Sequence, residues 1–444
     1  MHLSRMSTAW WSTGATRFSA ALISLGVLLG AGLPTLLGVW SGRKNLDDFA
    51  VVYAGARALW NHLDIYAATA GMYIYSPFLA FIFQPLAVLP ERAADVVWLL
   101  LIGSIIFFAA LIAANKVARI WLCQRAIDPS PRLVIATAAM ALSFEKIRAD
   151  FVLGQTDCLM IIGFVAVLCL MTRRALMAGI ATGAVGNIKY LALIFVPYFL
   201  GKRNYRAALA SIVSFFLFFT LPAVEVGLRS MKIYSINAFA VLTRVAAVRN
   251  WIDLTAVGRS HKPIVNSVTW PNSVSLTSSI LRMTRSHGIS DVFGGIAIAL
   301  FFAGVVTVIV LIGRHHGVNL LIGSTATSNA SADRVASIEW AVLIVLALVF
   351  GPQTTPRHMI LVLLVYTVAV AILIVQTRRA PRILLIVSMA TTALALSLPF
   401  RDTGSHPWLV TLKSAGVASW CSLSLVLLIA WFGSRTISDT GGTS

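Results

Sequence analysis

Charge is scarce in this sequence. Only 11% of its 444 residues are charged, whereas 58% are hydrophobic. Soluble domains carry about 25% charged residues, so a soluble globular fold is excluded. The composition predicts an all-α protein that crosses a membrane many times.

Cysteine is also rare, with four residues in the chain. All four lie in or beside apolar runs without Cys-x-x-Cys spacing, namely Cys123, Cys158, Cys169 and Cys421. This is typical of buried small side chains rather than of disulfides or metal ligands. No His, Cys and Asp cluster has metal-ligand spacing, so neither a metal nor another cofactor is predicted. A cation held by Asp47 and Asp48 remains an alternative.

Negative charge is the scarcest, with 16 acidic residues against 35 lysines and arginines and a net charge of +19. Such an excess could serve nucleic-acid binding, but most basic residues stand in short runs between apolar segments. Examples are "TRR" (172–174), "GKRNYR" (201–206) and "TRRAPR" (377–382). Such runs mark cytoplasmic loops, so nucleic acid is not a predicted partner. Remaining positive charge that faces outwards would suit an anionic substrate or lipid headgroups.

Long apolar runs recur along the whole chain, and about 20 helical residues span a membrane. The predicted spans are 18–40, 95–114, 133–147, 155–172, 207–223, 292–313, 339–350, 359–375, 383–399 and 416–433. The stretch 175–200 lies between two basic runs, which predicts a short helical hairpin with "NIK" (187–189) at its tip. These segments add up to about 12 in a single domain, 1–444, with both termini in the cytoplasm.

Two long loops, 41–94 and 224–291, then face outwards. With this orientation, 12 of the 16 acidic residues also lie on the outer side. In the first loop, apolar residues recur with helical spacing from Leu46 to Trp60, which predicts an amphipathic helix on the membrane surface. The stretch "YSPFLAFIFQPLAVLP" (75–90) predicts a second surface element.

Polar residues gather at the predicted outer ends of several apolar segments. They are Asp47 and Asp48, "EKIRADFVLGQTD" (145–157), "NIKY" (187–190), "NSVTWPNSVSLTSSILR" (266–282) and "GPQTTPRH" (351–358). Ionisable groups at membrane depth are costly, and we therefore treat them as functional candidates that converge on one cavity. The alternative is that they are ordinary headgroup-level side chains or hydrogen bonds between helices.

The order of these motifs resembles that of a known family. The motifs are "DDFAVVYAGARALWNHLDIY" (47–66), "YSPFLAF" (75–81), "LGQTD" (153–157), "AGIATGAVGNIKYLALIFVPYFL" (178–200), "NSVSLTSSILR" (272–282) and "GPQTTPRHMILVLL" (351–364). Over about residues 45–365 they resemble the polyprenyl-phosphate-sugar-dependent glycosyltransferases of the GT-C superfamily, and glycosyltransferase family 87 most of all. That family includes a mycobacterial phosphatidylinositol-mannoside mannosyltransferase. "YSP", "NSV" and "PRH" depart from the family's usual runs, which affects the expected acceptor more than the fold.

The resemblance implies a GT-C-type bundle in a bacterial inner or plasma membrane, with its active site on the extracytoplasmic face. The implied enzyme is an inverting hexosyltransferase. Its donor is a monosaccharide on polyprenyl phosphate, with mannose as the first candidate, and its acceptor is a lipid-linked or envelope glycan.

The resemblance also implies a catalytic carboxylate directly after the first span. It assigns this role to Asp48, with Asp47 as the alternative. A sugar hydroxyl attacks well only when a base takes its proton in the transition state. The structural alternative is that both acids stabilise the first turn of the surface helix.

The leaving phosphate needs cations, and the sugar needs hydrogen-bonding partners. Arginine binds a phosphate through paired N–H donors, and lysine acts on it as a point charge. Both stabilise the negative charge that develops as the phosphate departs. The candidate phosphate ligands are Lys189, Arg357, His358, Arg282 and Arg148. The candidate sugar ligands are Gln155 and Asn272.

A transporter or lipid flippase is the rival from another functional class. Transporters commonly show internal repeats and charges on both sides of the membrane midplane. Here no repeat is visible and the polar motifs lie on one predicted side, which favours the enzyme. A polymer ligase with a diphosphate-linked donor remains a third possibility.

Overall fold

The computed structural model describes residues 14–122, 130–245, 268–323, 330–352, 354–398 and 407–441, and these residues contain helices but no β-strand. Cys123, residues 246–267 of the second long loop and Gln353 lie outside the described residues. The helices are α1 (Gly14–Trp40), α2 (Asp47–Trp60), α3 (Ile65–Ala68), α4 (Pro77–Ala87), α5 (Glu91–Trp121), α6 (Ser130–Leu142), α7 (Phe144–Leu153), α8 (Asp157–Leu170), α9 (Ala175–Gly186), α10 (Phe195–Gly201), α11 (Tyr205–Thr220), α12 (Ala223–Val245), α13 (Leu276–Ser286), α14 (Asp291–His315), α15 (Ala330–Phe350), α16 (Val362–Val375), α17 (Arg379–Leu396), α18 (Pro407–Ser414) and α19 (Val417–Gly441). Short 3-10 helices at Tyr190–Ile194 and His358–Leu361 precede α10 and α16.

Several helices can cross a membrane. Within the described part of the chain, six helices are long and apolar enough, or seven if α11 and α12, bent by 96°, form one span. The multi-pass helical architecture is therefore confirmed. A total of about 12 segments requires that the shorter apolar helices, such as α6, α8 and α9, also lie in the membrane.

The centre of the bundle is formed by α15 and α16. Every residue from Val362 to Ile372 in α16 is buried, as is every residue from Ala336 to Val349 in α15. By contrast, α1 exposes leucines such as Leu22 and Leu37 along its outer face. A helix that is apolar all round is either enclosed by other helices or faces lipid, and both cases occur here.

One predicted span ends earlier than expected. The run 133–147 is helical only to Leu142, and after a break at Ser143 a separate helix, α7, begins at Phe144. The sequence changes there from apolar to charged, so the polar helix α7 is set apart from the span that precedes it. The predicted break near the "NIK" tip is present, since α9 ends at Gly186 and helix resumes at Tyr190.

The predicted amphipathic helix of the first loop is α2. Its apolar face is covered by protein, because Leu46, Phe49 and Ala56 are fully buried. The ring of Phe49 stacks on Trp98 of α5 with centroids 5.7 Å apart, and the hydroxyl of Tyr53 donates to the Leu89 carbonyl at 2.8 Å. These contacts hold the start of α2 against the bundle.

Candidate active site

The glycine between α7 and α8 allows the start of α2, with Asp47 and Asp48, to lie beside the "LGQTD" turn. Gly154 ends α7 with a φ of 67°, a left-handed conformation that favours glycine. A Cβ atom on Gly154 would lie 2.8 Å from the Cβ of Phe49 and 2.9 Å from that of Leu46. The indole of Trp98 also donates to the Gly154 carbonyl at 3.0 Å. The first turn of α2 therefore packs directly on the "LGQTD" turn.

Asp48 faces a cation from the far end of the sequence. Its Oδ2 accepts a hydrogen bond from Nη1 of Arg357, in an ion pair whose side chains are 27% and 20% exposed. The Nε of Arg357 also donates to the Thr355 hydroxyl at 3.1 Å. Burial raises the pKa of the Asp48 carboxyl above its usual value, and the charges of Arg357 and Lys189 oppose that rise. Asp47 is exposed, and of the two acids only Asp48 forms an ion pair in the described structure.

Lys189 lies at the break after α9 and is held by the turn that precedes α8. Its Nζ donates to Oδ1 of Asp157 at 2.5 Å and to Oε1 of Gln155 at 3.5 Å. The Asp157 side chain is fully buried and that of Lys189 is 11% exposed. Ion pairs this far from water need good geometry, and the short contact provides it.

His358 completes the group of polar residues. The backbone N–H of Thr355 donates to its Nδ1 at 3.3 Å, which leaves Nε2 as the other ring nitrogen for a ligand. The charges acting on His358 are those of Lys189, Asp157 and Arg357. We call this group the ion-pair cluster, and its members are Asp48, Gln155, Asp157, Lys189, Arg357 and His358.

The first loop also contacts the break that carries Lys189. The hydroxyl of Ser76, in the "YSP" run, donates to the backbone carbonyl of Asn187 at 2.5 Å. The Asn187 side chain in turn donates to the carbonyls of Gly183 and Phe215 at 3.0 and 2.9 Å. Because Asn187 is tied on three sides, the position of Lys189 is fixed by the backbone around it.

Three of the predicted ligands have their described contacts elsewhere. Arg148 pairs with Glu145 at 2.8 Å on the surface, where its side chain is 52% exposed. Arg282 donates to the carbonyls of Trp270 and Ser273 at 2.8 and 3.2 Å, and also to the Ser414 carbonyl. These contacts make Arg282 a tie between the segment before α13 and the end of α18.

Asn272 also belongs to another neighbourhood. Its Oδ1 accepts from the Nζ of Lys413 at 2.5 Å. The structure therefore brings Asp48, Gln155, Lys189, Arg357 and His358 together, and joins none of Arg148, Arg282 and Asn272 to them through a described hydrogen bond or ion pair.

Some polar residues of the site were not singled out from the sequence. Asp157 stands in the quoted "LGQTD" motif, but its role as the partner of Lys189 depends on the fold. Asp150 is fully buried, and neither of its oxygens has a hydrogen bond in the described structure. Burial raises the pKa of Asp150 well above its usual value, and the charge of Asp157 adds to this. Tyr75 also lies within reach of the charges of Asp48 and Asp157.

The arrangement offers acid–base and anion-binding chemistry. Among the described residues, no group of three or more His, Cys, Asp or Glu side chains could hold a metal ion. Asp48 provides a carboxylate that can accept a proton. Arg357 and Lys189 have more N–H donors than the described contacts use, so both can also bind an anion.

Known proteins resemble this chain over part of its length. A polyprenol-phosphate-mannose-dependent alpha-(1-2)-phosphatidylinositol pentamannoside mannosyltransferase from Mycolicibacterium smegmatis is 26% identical over 164 residues, which are 37% of each chain. The protein of the same name from Mycobacterium tuberculosis is 25% identical over 224 residues, which are 49% of this chain and 50% of that protein. A phosphatidylinositol mannoside mannosyltransferase from Mycobacterium tuberculosis, with the same type of donor in its name, is 27% identical over 203 residues, 43% of this chain and 47% of that protein. The chain thus spans half or less of the length of these curated relatives.

The family assignment has wider support than these pairwise matches. The model of glycosyltransferase family 87 matches residues 73–399, most of the chain, including the "YSP", "LGQTD", "NIKY" and "PRH" motifs. The resemblance seen in the sequence is confirmed, and this protein is a member of glycosyltransferase family 87.

Proposed function

We propose that this glycosyltransferase moves mannose from a polyprenyl-phosphate donor to a lipid-linked or envelope glycan on the extracytoplasmic face of the membrane. The observation that carries the proposal is the ion-pair cluster. In it, the Asp48 carboxylate and the cations Lys189 and Arg357 come from three distant parts of the chain. Transfer of a sugar from a phosphate requires just such a base and such cations.

Asp48 is the proposed base. It takes the proton of the acceptor hydroxyl while the oxygen of that hydroxyl bonds to the anomeric carbon of the donor sugar. The bond between the anomeric carbon and the phosphate oxygen breaks, and its electron pair leaves with the phosphate. Base and leaving group stand on opposite sides of the sugar, so the configuration inverts. No acid is required, because a phosphate is already a good leaving group.

Arg357, Lys189 and His358 are the proposed ligands of the leaving phosphate. Charge grows on the phosphate as it departs, and fixed donors stabilise that charge without reorganising. Arg357 contacts both Asp48 and Thr355 through separate nitrogens, which orients its remaining donors. Gln155, whose Oε1 accepts from Lys189, is the proposed ligand of a sugar hydroxyl. Arg148, Arg282 and Asn272 have their described contacts outside the ion-pair cluster, and their ligand roles stay predictions.

A groove between α1 and α5 suits the lipid chain of the donor. It has a volume of about 360 Å³, and its walls include Leu25, Leu29 and Gly32 from α1, Gly103 from α5 and Phe151 from α7. Phe151 is three residues before Gly154, so the groove ends next to the turn that carries Gln155 and Asp157. An isoprenoid chain in this groove would present its phosphate towards the ion-pair cluster.

The relatives supply the proposed substrates. Their names specify polyprenol-phosphate-mannose as donor and phosphatidylinositol mannosides as acceptors. Family membership favours a glycosyltransferase over a transporter or flippase. Within the enzyme class, the alternative is a diphosphate-linked donor. Assays with a monophosphate-linked and a diphosphate-linked sugar distinguish the two possibilities.

The test compares two neighbouring acids. The Asp48→Asn variant is expected to lose mannosyl transfer by about 10²–10⁴-fold, the usual contribution of a general base. Asp47→Asn is the matched control, because Asp47 is exposed, whereas Asp48 forms the ion pair with Arg357. Transfer is measured with purified protein, labelled polyprenyl-phosphate mannose and a phosphatidylinositol-mannoside acceptor, and the anomeric configuration of the product is read by NMR.

Other outcomes would overturn particular parts of the proposal. Full activity of Asp48→Asn with loss in Asp47→Asn would move the base to Asp47. Retention of the donor's anomeric configuration would contradict direct displacement. Transfer only from a diphosphate-linked donor would replace the proposed donor.

A further inference from the structure

The second long loop, 224–291, carries an excess of positive charge on the predicted outer side. It holds eight lysines and arginines against three acids, which are Glu225, Asp253 and Asp291. The first outer loop, 41–94, holds four of each kind. None of the eight basic residues belongs to the ion-pair cluster, so the proposed chemistry does not account for them.

The helix α12 begins this basic loop and turns sharply away from α11. The two helices are bent by 96° relative to each other. The 16 residues of α11 are about 24 Å long, most of a hydrocarbon core about 30 Å thick. Its side chains Leu209 and Leu217 are 63% and 64% exposed, as expected of a helix that faces lipid. With α11 across the membrane, α12 runs along the membrane surface.

One face of α12 packs on the first outer loop. Gly227, with a φ of 77°, interrupts the helix, and beyond it Met231 and Tyr234 are buried. The hydroxyl of Tyr234 donates to the Leu63 carbonyl at 2.8 Å, and its ring lies 6.1 Å from that of Tyr66. These contacts fix which side of α12 turns outwards.

The side that turns outwards combines apolar and basic residues. Its members are Leu228, Arg229, Lys232 and Ile233, which lie within an arc of about 140° on a helix of 3.6 residues per turn. All four are exposed, and Leu228 is exposed by as much as 83%. We call these four residues the α12 outer face. Within the described residues, neither of its two cations has a side-chain hydrogen bond or an ion pair.

This combination suits a membrane surface better than bulk water. A helix that lies in the interface inserts its apolar side chains among acyl chains and keeps its cations at the level of the phosphates. A purely solvated face would have no use for leucine and isoleucine between the cations. The acid of α12, Glu225, accepts hydrogen bonds from Gln84 at 2.7 and 2.8 Å, so it is held towards α4.

We infer that the α12 outer face binds the headgroups of anionic phospholipids in the outer leaflet. Lysine and arginine near an anionic membrane surface each strengthen binding by about fivefold, and a phosphate accepts their N–H donors. The inference goes beyond the proposed function and does not depend on it. If the acceptor is a phosphate-bearing lipid, the same surface also gathers it beside the first outer loop.

The first measurement asks whether the α12 outer face lies in lipid. In a background without the native cysteines, Leu228→Cys carries a fluorescent bimane label, and the full chain is placed in phosphatidylcholine nanodiscs that contain doxyl-labelled lipid. The label is expected to be quenched. Leu217→Cys on α11 is the matched control, because it is also an exposed leucine and faces lipid. Quenching at Leu217→Cys without quenching at Leu228→Cys would overturn the inference.

The second measurement asks which headgroup is preferred. Quenching of the Leu228→Cys label is compared for doxyl-labelled phosphatidylglycerol and doxyl-labelled phosphatidylcholine. Phosphatidylglycerol should be favoured by at least about fivefold, the effect of one cation, and Arg229→Gln/Lys232→Gln should remove most of this preference. Arg43→Gln is the control for net charge, since Arg43 is exposed in the first outer loop, and it should keep the preference.

The remaining outcomes are equally decisive. Equal quenching by both lipids, or a preference that survives in the double variant, would overturn the assignment to anionic headgroups. The preference should also weaken as salt rises from about 0.05 to about 0.5 M, because salt screens exposed charges. A preference that salt does not change would contradict binding by charge. Absence of mannosyl transfer would reject the proposed function alone, because neither measurement uses enzymatic activity.

Discussion

The protonation of one side chain, Asp48, controls the proposed reaction. Its carboxyl accepts a proton only when it is ionised, and its pKa is raised by burial and lowered by Arg357 and Lys189. Activity should therefore be lost as the pH falls through a value above the usual range of an aspartate. Arg357 and Lys189 each lower that pKa, so removal of either cation should raise it.

A pH profile tests this balance. In Arg357→Gln one of the cations that lower the pKa of Asp48 is gone, so the acid limb of kcat/KM should move to higher pH. Arg173→Gln is the control, because Arg173 lies in a predicted cytoplasmic loop and is 71% exposed. An acid limb at the same pH in wild type and Arg357→Gln would show that Asp48 is not the group that titrates.

Lys189 pairs with the buried Asp157 and is also a proposed ligand of the leaving phosphate, and these two roles can be separated. Lys189→Met should reduce stability by about 3–5 kcal/mol, since the buried Asp157 loses its charge partner. The double variant Lys189→Met/Asp157→Asn removes both charges and should recover most of that stability, yet transfer should stay low because the phosphate lacks its cation. Thermal melting and transfer assays on the same samples check this. A double variant as active as wild type would make Lys189 purely structural.

At the scale of helices, the site depends on how closely α2 approaches the junction of α7 and α8. Gly154 permits this approach, because it has both a positive φ and no Cβ. The same junction starts α8 at Asp157, the partner of Lys189. The proposed base and the proposed phosphate ligand are thus aligned by one contact between helices.

Substitution of this glycine should affect both stability and activity. Gly154→Ala places a methyl group against Leu46 and Phe49 in a left-handed conformation that alone costs about 1–2 kcal/mol. Melting temperature should fall, and kcat should fall in the protein that remains folded, because Asp48 moves away from Lys189. Gly295→Ala in α14 is the control, since nothing lies within 4 Å of its Cβ position. Equal effects of the two substitutions would show that the contact is unimportant.

Over the whole molecule, charge is divided between the two predicted sides. Short loops on the predicted inner side are basic, and the ion-pair cluster lies on the predicted outer side. Since the proposed donor and acceptor are membrane lipids, this division determines which leaflet supplies them.

Thiol labelling tests the orientation. In a background without the native cysteines, Asn61→Cys before α3 should react with a membrane-impermeant reagent on intact cells, and Arg378→Cys before α17 should not. Both positions are exposed, so burial does not limit the reaction. After lysis both should react. The reverse labelling on intact cells would place the active site in the cytoplasm.

The sequence by itself determined the class of protein and most of the motifs. Hydropathy identifies membrane helices because lipid demands about 20 apolar residues in a row, and this depends on local composition alone. The order of the motifs determined the family. Helical spacing also located the buried face of α2, since periodicity is a property of neighbouring residues.

Tertiary structure decided which polar residues meet. Asp48 and Arg357 are 309 positions apart, and no local pattern shows that Asp48 turns towards the arginine while Asp47 does not. Arg282 and Asn272 carry the same chemical groups as the cluster residues, yet packing directs them to the end of α18. The physical reason is that composition determines where a helix lies relative to lipid, whereas the rotation and contacts of that helix are determined by the helices packed around it.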